Sequence, residues 1–163
     1  MNHIELRDLD DDDLDAVFTM MSDPEGAALA AFTAEDPEDR GAFDAWIARE
    51  RAADDVLLAV VTENGGFAGT VAAFTVDGER EVTFWTARHA WGRGVASEAL
   101  RILVSREPLR PLFARVAAHN AGAVAVLERN GFTEVSRTIT RAPALDRDAE
   151  EILFVLPPTL DGV

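Results

Sequence analysis

Cysteine is absent from this chain of 163 residues, which removes disulfides, thiolate metal sites and a cysteine nucleophile together. Its three histidines, His3, His89 and His119, show no His-x-x-x-His or comparable spacing, so no metal is expected. No apolar run approaches the roughly 18 to 20 residues of a membrane span. The opening Met1-Asn2-His3-Ile4-Glu5 lacks the basic-then-apolar layout of a signal peptide. These absences predict a cytoplasmic protein without a membrane partner. Basic residues are scarce as well: 15 stand against 30 acidic ones, for a net charge of -15. Such a surface repels nucleic acid, which is therefore not expected as a partner. The same field concentrates amines, although solubility alone also accounts for it.

What is present fits one domain. Hydrophobic residues make up 48% and charged residues 28%, a composition that buries a real core. Strand-like and helix-like segments alternate without a repeat, which indicates a mixed α/β fold. Ile4-Glu5-Leu6 alternates as a short strand, and Leu14, Val17, Phe18 and Met21 share one helical face behind the acidic run Asp10 to Asp13. That run invites a calcium reading. Counting from Asp8, however, Asp13 falls where the loop needs glycine and Thr19 where it needs glutamate, so it reads as a solvated helix start. Asp36-Pro37 is expected to open a second helix with Phe43, Trp46 and Ile47 on its buried face. Gly26 to Glu35 reads as a loop. Asn64-Gly65-Gly66 and Asp77-Gly78 separate Val56 to Thr62, Phe67 to Thr75 and Glu81 to Thr86, a three-stranded antiparallel meander. A helix over Gly94 to Ser105, a strand at Leu112 to Ala117, a helix over Ala121 to Asn130 and strands near Phe132 to Thr138 and Glu151 to Leu156 complete the reading.

The informative stretch runs from Phe84 to Leu100, where a strand enters a glycine-bearing turn, Trp91-Gly92-Arg93-Gly94, and then a helix. Free amides and the dipole at such a helix start suit an anion, pyrophosphate above all. An ordinary connector has the same local pattern. A dinucleotide fingerprint is excluded because Ser97 replaces its third glycine and antiparallel hairpins precede it. A P-loop lacks its Gly-Lys-Ser/Thr.

Trp91-Gly92-Arg93-Gly94-Val95-Ala96 resembles the acetyl-CoA signature of the GCN5-related N-acetyltransferase (GNAT) superfamily. Trp91 to Ala99 is similar to the run found in its ribosomal-protein N-terminal acetyltransferase (RimJ/RimL-type) branch. His119 to Phe132, with Leu127-Glu128-Arg129-Asn130-Gly131-Phe132, resembles a second family motif, and Glu81-Val82-Thr83-Phe84-Trp85 resembles the branch's central strand. The resemblance spans roughly residues 4 to 139. It implies a single GNAT domain over residues 1–163, with a mixed, mostly antiparallel sheet, flanking helices and a splayed parallel pair formed by Glu81 to Thr86 and Leu112 to Ala117.

The resemblance also implies function: acetyl-CoA as cosubstrate and transfer of its acetyl group to the primary amine of a protein N-terminus or a small molecule. Trp85, Thr86 and Ala87 would pair with the pantetheine arm. The amides of Arg93, Gly94, Val95, Ala96 and Ser97 would hold pyrophosphate, with Arg88 and Arg93 adding charge. Asn120 would reach pantetheine, although its position as a helix cap explains it equally. Ala123 stands where the family has a serine. Phe32 and Trp85 are the acceptor-pocket candidates, against a core role. The amine must lose a proton. Glu81 is the first candidate base, ahead of His89 and Glu98, against a plain surface role. The family's tyrosine acid has no counterpart, since the chain has no tyrosine and Leu127 takes the place. Ser97, Ser136 or water then remains as proton donor. The competing expectation is a non-catalytic acyl-CoA-binding or interaction domain. A homodimer is common in the branch.

Overall fold

A computed structural model of the chain describes residues 2–158. Among the described residues seven strands lie in one sheet: β1 (Ile4–Asp8), β2 (Leu57–Glu63), β3 (Gly66–Val76), β4 (Glu79–Thr86), β5 (Leu112–Ala117), β6 (Thr133–Ala142) and β7 (Arg147–Leu156). Their order is β1-β2-β3-β4-β5-β7-β6. Every neighbouring pair is antiparallel except β4 and β5.

The helices are α1 (Leu14–Ser22), α2 (Pro24–Ala30), α3 (Arg40–Ala52), α4 (Val95–Arg106) and α5 (Ala121–Arg129). None is long and apolar enough to cross a membrane among the described residues. Because strand residues alternate between faces, the sheet buries two cores. Val82, Leu112, Ala114, Ile152 and Phe154 pack with Leu100 and Leu103 of α4 and Leu127 of α5. On the opposite face Val17 and Met20 of α1 and Phe43 and Ile47 of α3 pack with Trp85 beside them.

Three expectations need correction. The second helix starts at Arg40, not at Asp36-Pro37. Asp39 caps it by accepting from Ala42 N at 3.0 Å, whereas Asp36 closes only a turn by accepting from Glu38 N. Arg40 then pairs with Asp44 and Asp15 and lies over the Phe18 ring, which anchors the helix start there. Gly26 to Glu35 is not all loop, since α2 occupies Pro24–Ala30 with proline at its first turn. The last two strands are longer than expected and form a hairpin of ten residues per strand at the sheet edge. Asp13 belongs to the fold: it is buried, pairs with both guanidinium Nη atoms of Arg7 at 2.7 and 2.8 Å, and accepts from Asp10 N at 2.9 Å.

Two predictions follow from these contacts. A Cβ at Gly69 would lie inside the Trp85 carbonyl oxygen of β4, so Gly69→Ala must move backbone. It should cost about 2 kcal/mol, read as a drop of roughly 4 to 8 °C in Tm. Asp13→Asn should cost about 2 kcal/mol at pH 7, measured by urea unfolding. Arg7 holds the Asp13 carboxyl below its usual range. Its stabilisation is therefore complete above the ordinary aspartate pKa and fades as pH falls through the lowered one, so the difference between variant and wild type should close in acid.

Candidate active site

The site begins where two strands part. β4 and β5 are paired only through Arg80 with Leu112 and Glu81 with Phe113, yet β4 continues to Thr86 and β5 to Ala117. β3 holds the far edge of β4 as far as Thr86, and β7 holds that of β5 as far as Ala117. Their inner edges therefore face each other across a gap. A cavity of about 1010 Å³ opens there, lined on its two sides by Val82 to Thr86 and Ala114 to Ala117. An extended ligand can enter such a gap as an added strand.

The C-terminal end of β4 leads to the anion site. A short turn at Arg88–Ala90 follows, and the Trp91 indole donates to Thr86 O at 2.8 Å, pinning the loop to the strand. Gly92 and Gly94 have φ of 79° and 77°, the left-handed region that only glycine occupies at little cost. Gly94 is the N-cap of α4 and offers no side-chain cap. The first main-chain bond into the helix is Glu98 N to Gly94 O. The amides of Gly94, Val95, Ala96 and Ser97 precede it and have no protein partner among the described residues. Such a helix start, with its positive dipole end, accepts a phosphate.

The expected residues divide between this cavity and its surroundings. Trp85, Thr86, Arg93, Gly94, Val95, Ala96, Ser97, Asn120, Ala123 and Phe32 all line it; Ala87, Arg88 and Glu81 do not. Ala87 is buried and its amide donates to Ala68 O at 2.8 Å, so it closes the sheet instead. Arg88 is fully engaged elsewhere: it makes a bidentate pair with Asp23 at 3.0 Å, meets Glu25 at 2.7 Å, and stacks over Trp91. It ties the start of α2 to the loop. Arg93 lines the cavity with its guanidinium paired to Glu63. Arg129, not singled out in the sequence, reaches the same end with Nη1 3.4 Å from Ser97 Oγ. Asn120 caps α5 by accepting from Ala123 N at 3.1 Å, which leaves its amide N–H groups without a protein partner among the described residues.

The acid-base candidates sort differently from expectation. Glu81 is only 6% exposed, and Arg115 Nε donates to its Oε1 at 3.0 Å. A carboxylate so engaged, outside the cavity wall, is poorly placed to receive a proton from an acceptor. Glu98 pairs with Arg101, and His89 meets Phe67 O; neither lines the cavity. Ser97 stands among the free amides that open α4, at the far end of β4 from Glu81. Ser136 is exposed on β6, and Leu127 is fully buried in the core. The carboxylate that does line the cavity is Glu151 on β7. Burial lifts its carboxyl above the usual range; Arg115 opposes the rise and Glu81 adds to it.

Residues 3–133 match the acetyltransferase (GNAT) domain family. The chain belongs to that family. No curated protein matches the sequence, but many solved structures share the fold. A spermidine N-acetyltransferase from Vibrio cholerae, in complex with CoA and spermine, is 17% identical over 93% of this chain and 95% of that one, with a TM-score of 0.74. A ribosomal-protein-alanine N-acetyltransferase from Brucella melitensis is 20% identical over 94% and 99%, with a TM-score of 0.73. The microcin C7 self-immunity acetyltransferase MccE, in complex with acetyl-CoA and AMP, is 12% identical over 95% and 92%, with a TM-score of 0.77.

GNAT acetyltransferases take acetyl-CoA as cosubstrate, and this cleft fits it. The uncapped start of α4 suits the pyrophosphate, and the strand gap suits the pantetheine. Glu151 escapes a local reading of the sequence because its place in the site depends on the pairing of Ala117 with Glu151 across β5 and β7, a tertiary relation. Gly94→Ala tests the anion site. The new side chain at a left-handed φ should weaken acetyl-CoA binding about tenfold by calorimetry and lower Tm by a few degrees, because the left-handed conformation alone costs about 1 kcal/mol even though nothing lies within 4 Å of the added Cβ.

Proposed function

We propose that this GNAT domain transfers acetyl from acetyl-CoA to a primary amine by direct attack, with Glu151 as general base. The gap between β4 and β5 carries the reading, because it opens the thioester's channel toward the face that holds Trp85, Arg115 and Glu151. The acceptor enters as an ammonium and loses a proton to the Glu151 carboxylate. The free amine attacks the thioester carbonyl carbon, the C–S bond breaks, and CoA departs as a thiolate that takes up a proton. The amide nitrogen sheds its remaining extra proton to solvent as the product leaves. With no tyrosine in the chain and Leu127 buried, water supplies the thiolate's proton. The raised pKa of Glu151 brings its basicity closer to working pH.

Glu81 acts through Arg115. Its buried carboxylate fixes the guanidinium beside Glu151, and the ordering is electrostatic and geometric. Trp85 and Phe32 shape the apolar wall that excludes water from the attacking nitrogen.

The decisive assay is thiol release from acetyl-CoA with an amine panel, run beside calorimetric binding of acetyl-CoA. Amine-dependent release is expected. Tight binding without release across the panel would turn the reading to a non-catalytic acyl-CoA-binding domain. Glu151→Gln should lower kcat/KM by about 100-fold or more and leave the acetyl-CoA Kd unchanged. In the wild type, kcat/KM should rise with pH as Glu151 deprotonates, along a limb above the ordinary carboxylate range. That limb should be missing in Glu151→Gln.

A further inference from the structure

The acceptor side of the cleft carries a charge that acetyl transfer alone does not require. Among the described residues, the fixed charges lining the cavity are Arg93, Arg115, Arg129 and Glu151. Three cations thus line it against one anion in a chain whose net charge is -15, although Glu63 pairs with Arg93 and Glu81 with Arg115 from behind the wall. Arg93 and Arg129 belong to the phosphate end, but Arg115 does not. It sits on β5 opposite Leu153 and shares a face with Ala117, whose partner across β7 is Glu151. Its Nε is held by Glu81 at 3.0 Å, while its two Nη groups have no protein partner among the described residues and the side chain is 44% exposed. A guanidinium fixed by one edge and open on the other is a fork for an oxyanion.

A second observation points to the same place. Thr33 Oγ1 is buried without a hydrogen-bond partner, and Thr33 lines this cavity. Buried polar atoms left unpaired are rare in folded proteins. Ala31, two residues earlier, packs with Ala117 of β5 and Ala149 of β7, so the segment carrying Thr33 lies against the strands that carry Arg115 and Glu151.

We propose that the acceptor is a small amine with a carboxylate close to its amino group, an α-amino acid or a near analogue. Arg115 and Thr33 hold the carboxylate, and Glu151 receives the ammonium. This assignment rests on the transferase reading and narrows it. A polyamine fits poorly, because its further ammonium groups would meet Arg115 and find only Glu151 among the acidic lining. A peptide N-terminus brings no α-carboxylate to the fork.

The test uses the full chain with the twenty common amino acids, their amides and spermidine. Thiol release from acetyl-CoA is read together with calorimetric binding of each acceptor to the protein saturated with CoA. The chain has no lysine, so side-chain self-acetylation adds no background. At least one amino acid should bind and react with kcat/KM about 100-fold above its amide. Thr33→Val, which keeps the side-chain volume, and Arg115→Lys, which keeps a cation beside Glu81, should each raise KM for that amino acid roughly tenfold or more. Both should leave the acetyl-CoA Kd and Tm near wild type, so that the loss is confined to the acceptor, which general loss of structure would not produce. Equal or better use of the amide or of spermidine, or an unchanged preference in both variants, overturns the proposal. So does the absence of both binding and turnover with every amino acid, whatever other amine is acetylated. Amino-acid binding that both variants weaken, without thiol release from any acceptor, would uphold this site and sink the transferase reading instead.

Discussion

The structure depends on a fork in its sheet. β4 and β5 start as parallel neighbours and separate after Glu81 and Phe113. The ion pair between Glu81 of β4 and Arg115 of β5 bridges them at that point. A buried carboxylate without a partner would be strongly destabilising, and removing Arg115 outright would leave one. The pair therefore ties the strands where they part and aims a cation into the space beyond. From Glu81 to Thr86 the strand advances roughly 16 Å at about 3.3 Å per residue, enough for an extended arm to run from the reacting end to the phosphate end. The helix that begins beyond Thr86 then presents four free amides. One departure from regular pairing thus sets the depth of the cleft and its polarity.

How much of this is legible in the sequence depends on whether the chemistry is local. The cofactor end is main-chain chemistry: Gly92 and Gly94 take left-handed conformations and α4 begins at once, so a short contiguous motif encodes it. The meander is legible for the same reason, since Asn64-Gly65 and Asp77-Gly78 supply the positive φ values of its turns. The proposed acceptor end draws on the segment after α2, β5 and β7, and no local spacing announces Thr33, Arg115 and Glu151 as lining one cavity. Glu81 shows the limit most plainly. Its strand can be read from the sequence, but the direction of its carboxylate is set by Arg115, 34 residues away. Arg88 is similar, since Asp23 and Glu25 claim it. β6 is hard to read because, as an edge strand, it is exposed on both faces over most of its length and so lacks the alternation that betrays a half-buried strand.

The charge distribution separates what the whole surface does from what the cleft does. A net charge of -15 creates a field that draws cations and repels phosphates at long range. Acetyl-CoA is itself an anion, so its site must overcome that field locally. Free amides and the α4 dipole act at contact distance, and Arg93 and Arg129 add positive charge there. Arg93 is paired with Glu63, so its net contribution is reduced and the main chain carries more of the binding. Salt should accordingly screen the repulsive surface field more than the buried contacts.

The missing tyrosine bears on which half of the proton traffic limits the reaction. A departing thiolate resembles cysteine, with a pKa near 8.5, whereas a lysine-like ammonium lies near 10.4 and an α-ammonium near 7.7 to 8.0. Near neutral pH the thiolate is only moderately basic and can leave before it is protonated. An amine that keeps its proton has no lone pair to attack with. Loss of a dedicated acid at Leu127 therefore costs less than loss of the base would, and the burden falls on the proposed base, Glu151, whose burial raises its basicity. On a free amino acid the neighbouring carboxylate holds the ammonium proton more tightly than a peptide bond does, and pairing of that carboxylate with the proposed Arg115 fork offsets this. The acid-poor cleft and the Arg115 fork are thus consistent with the same kind of acceptor.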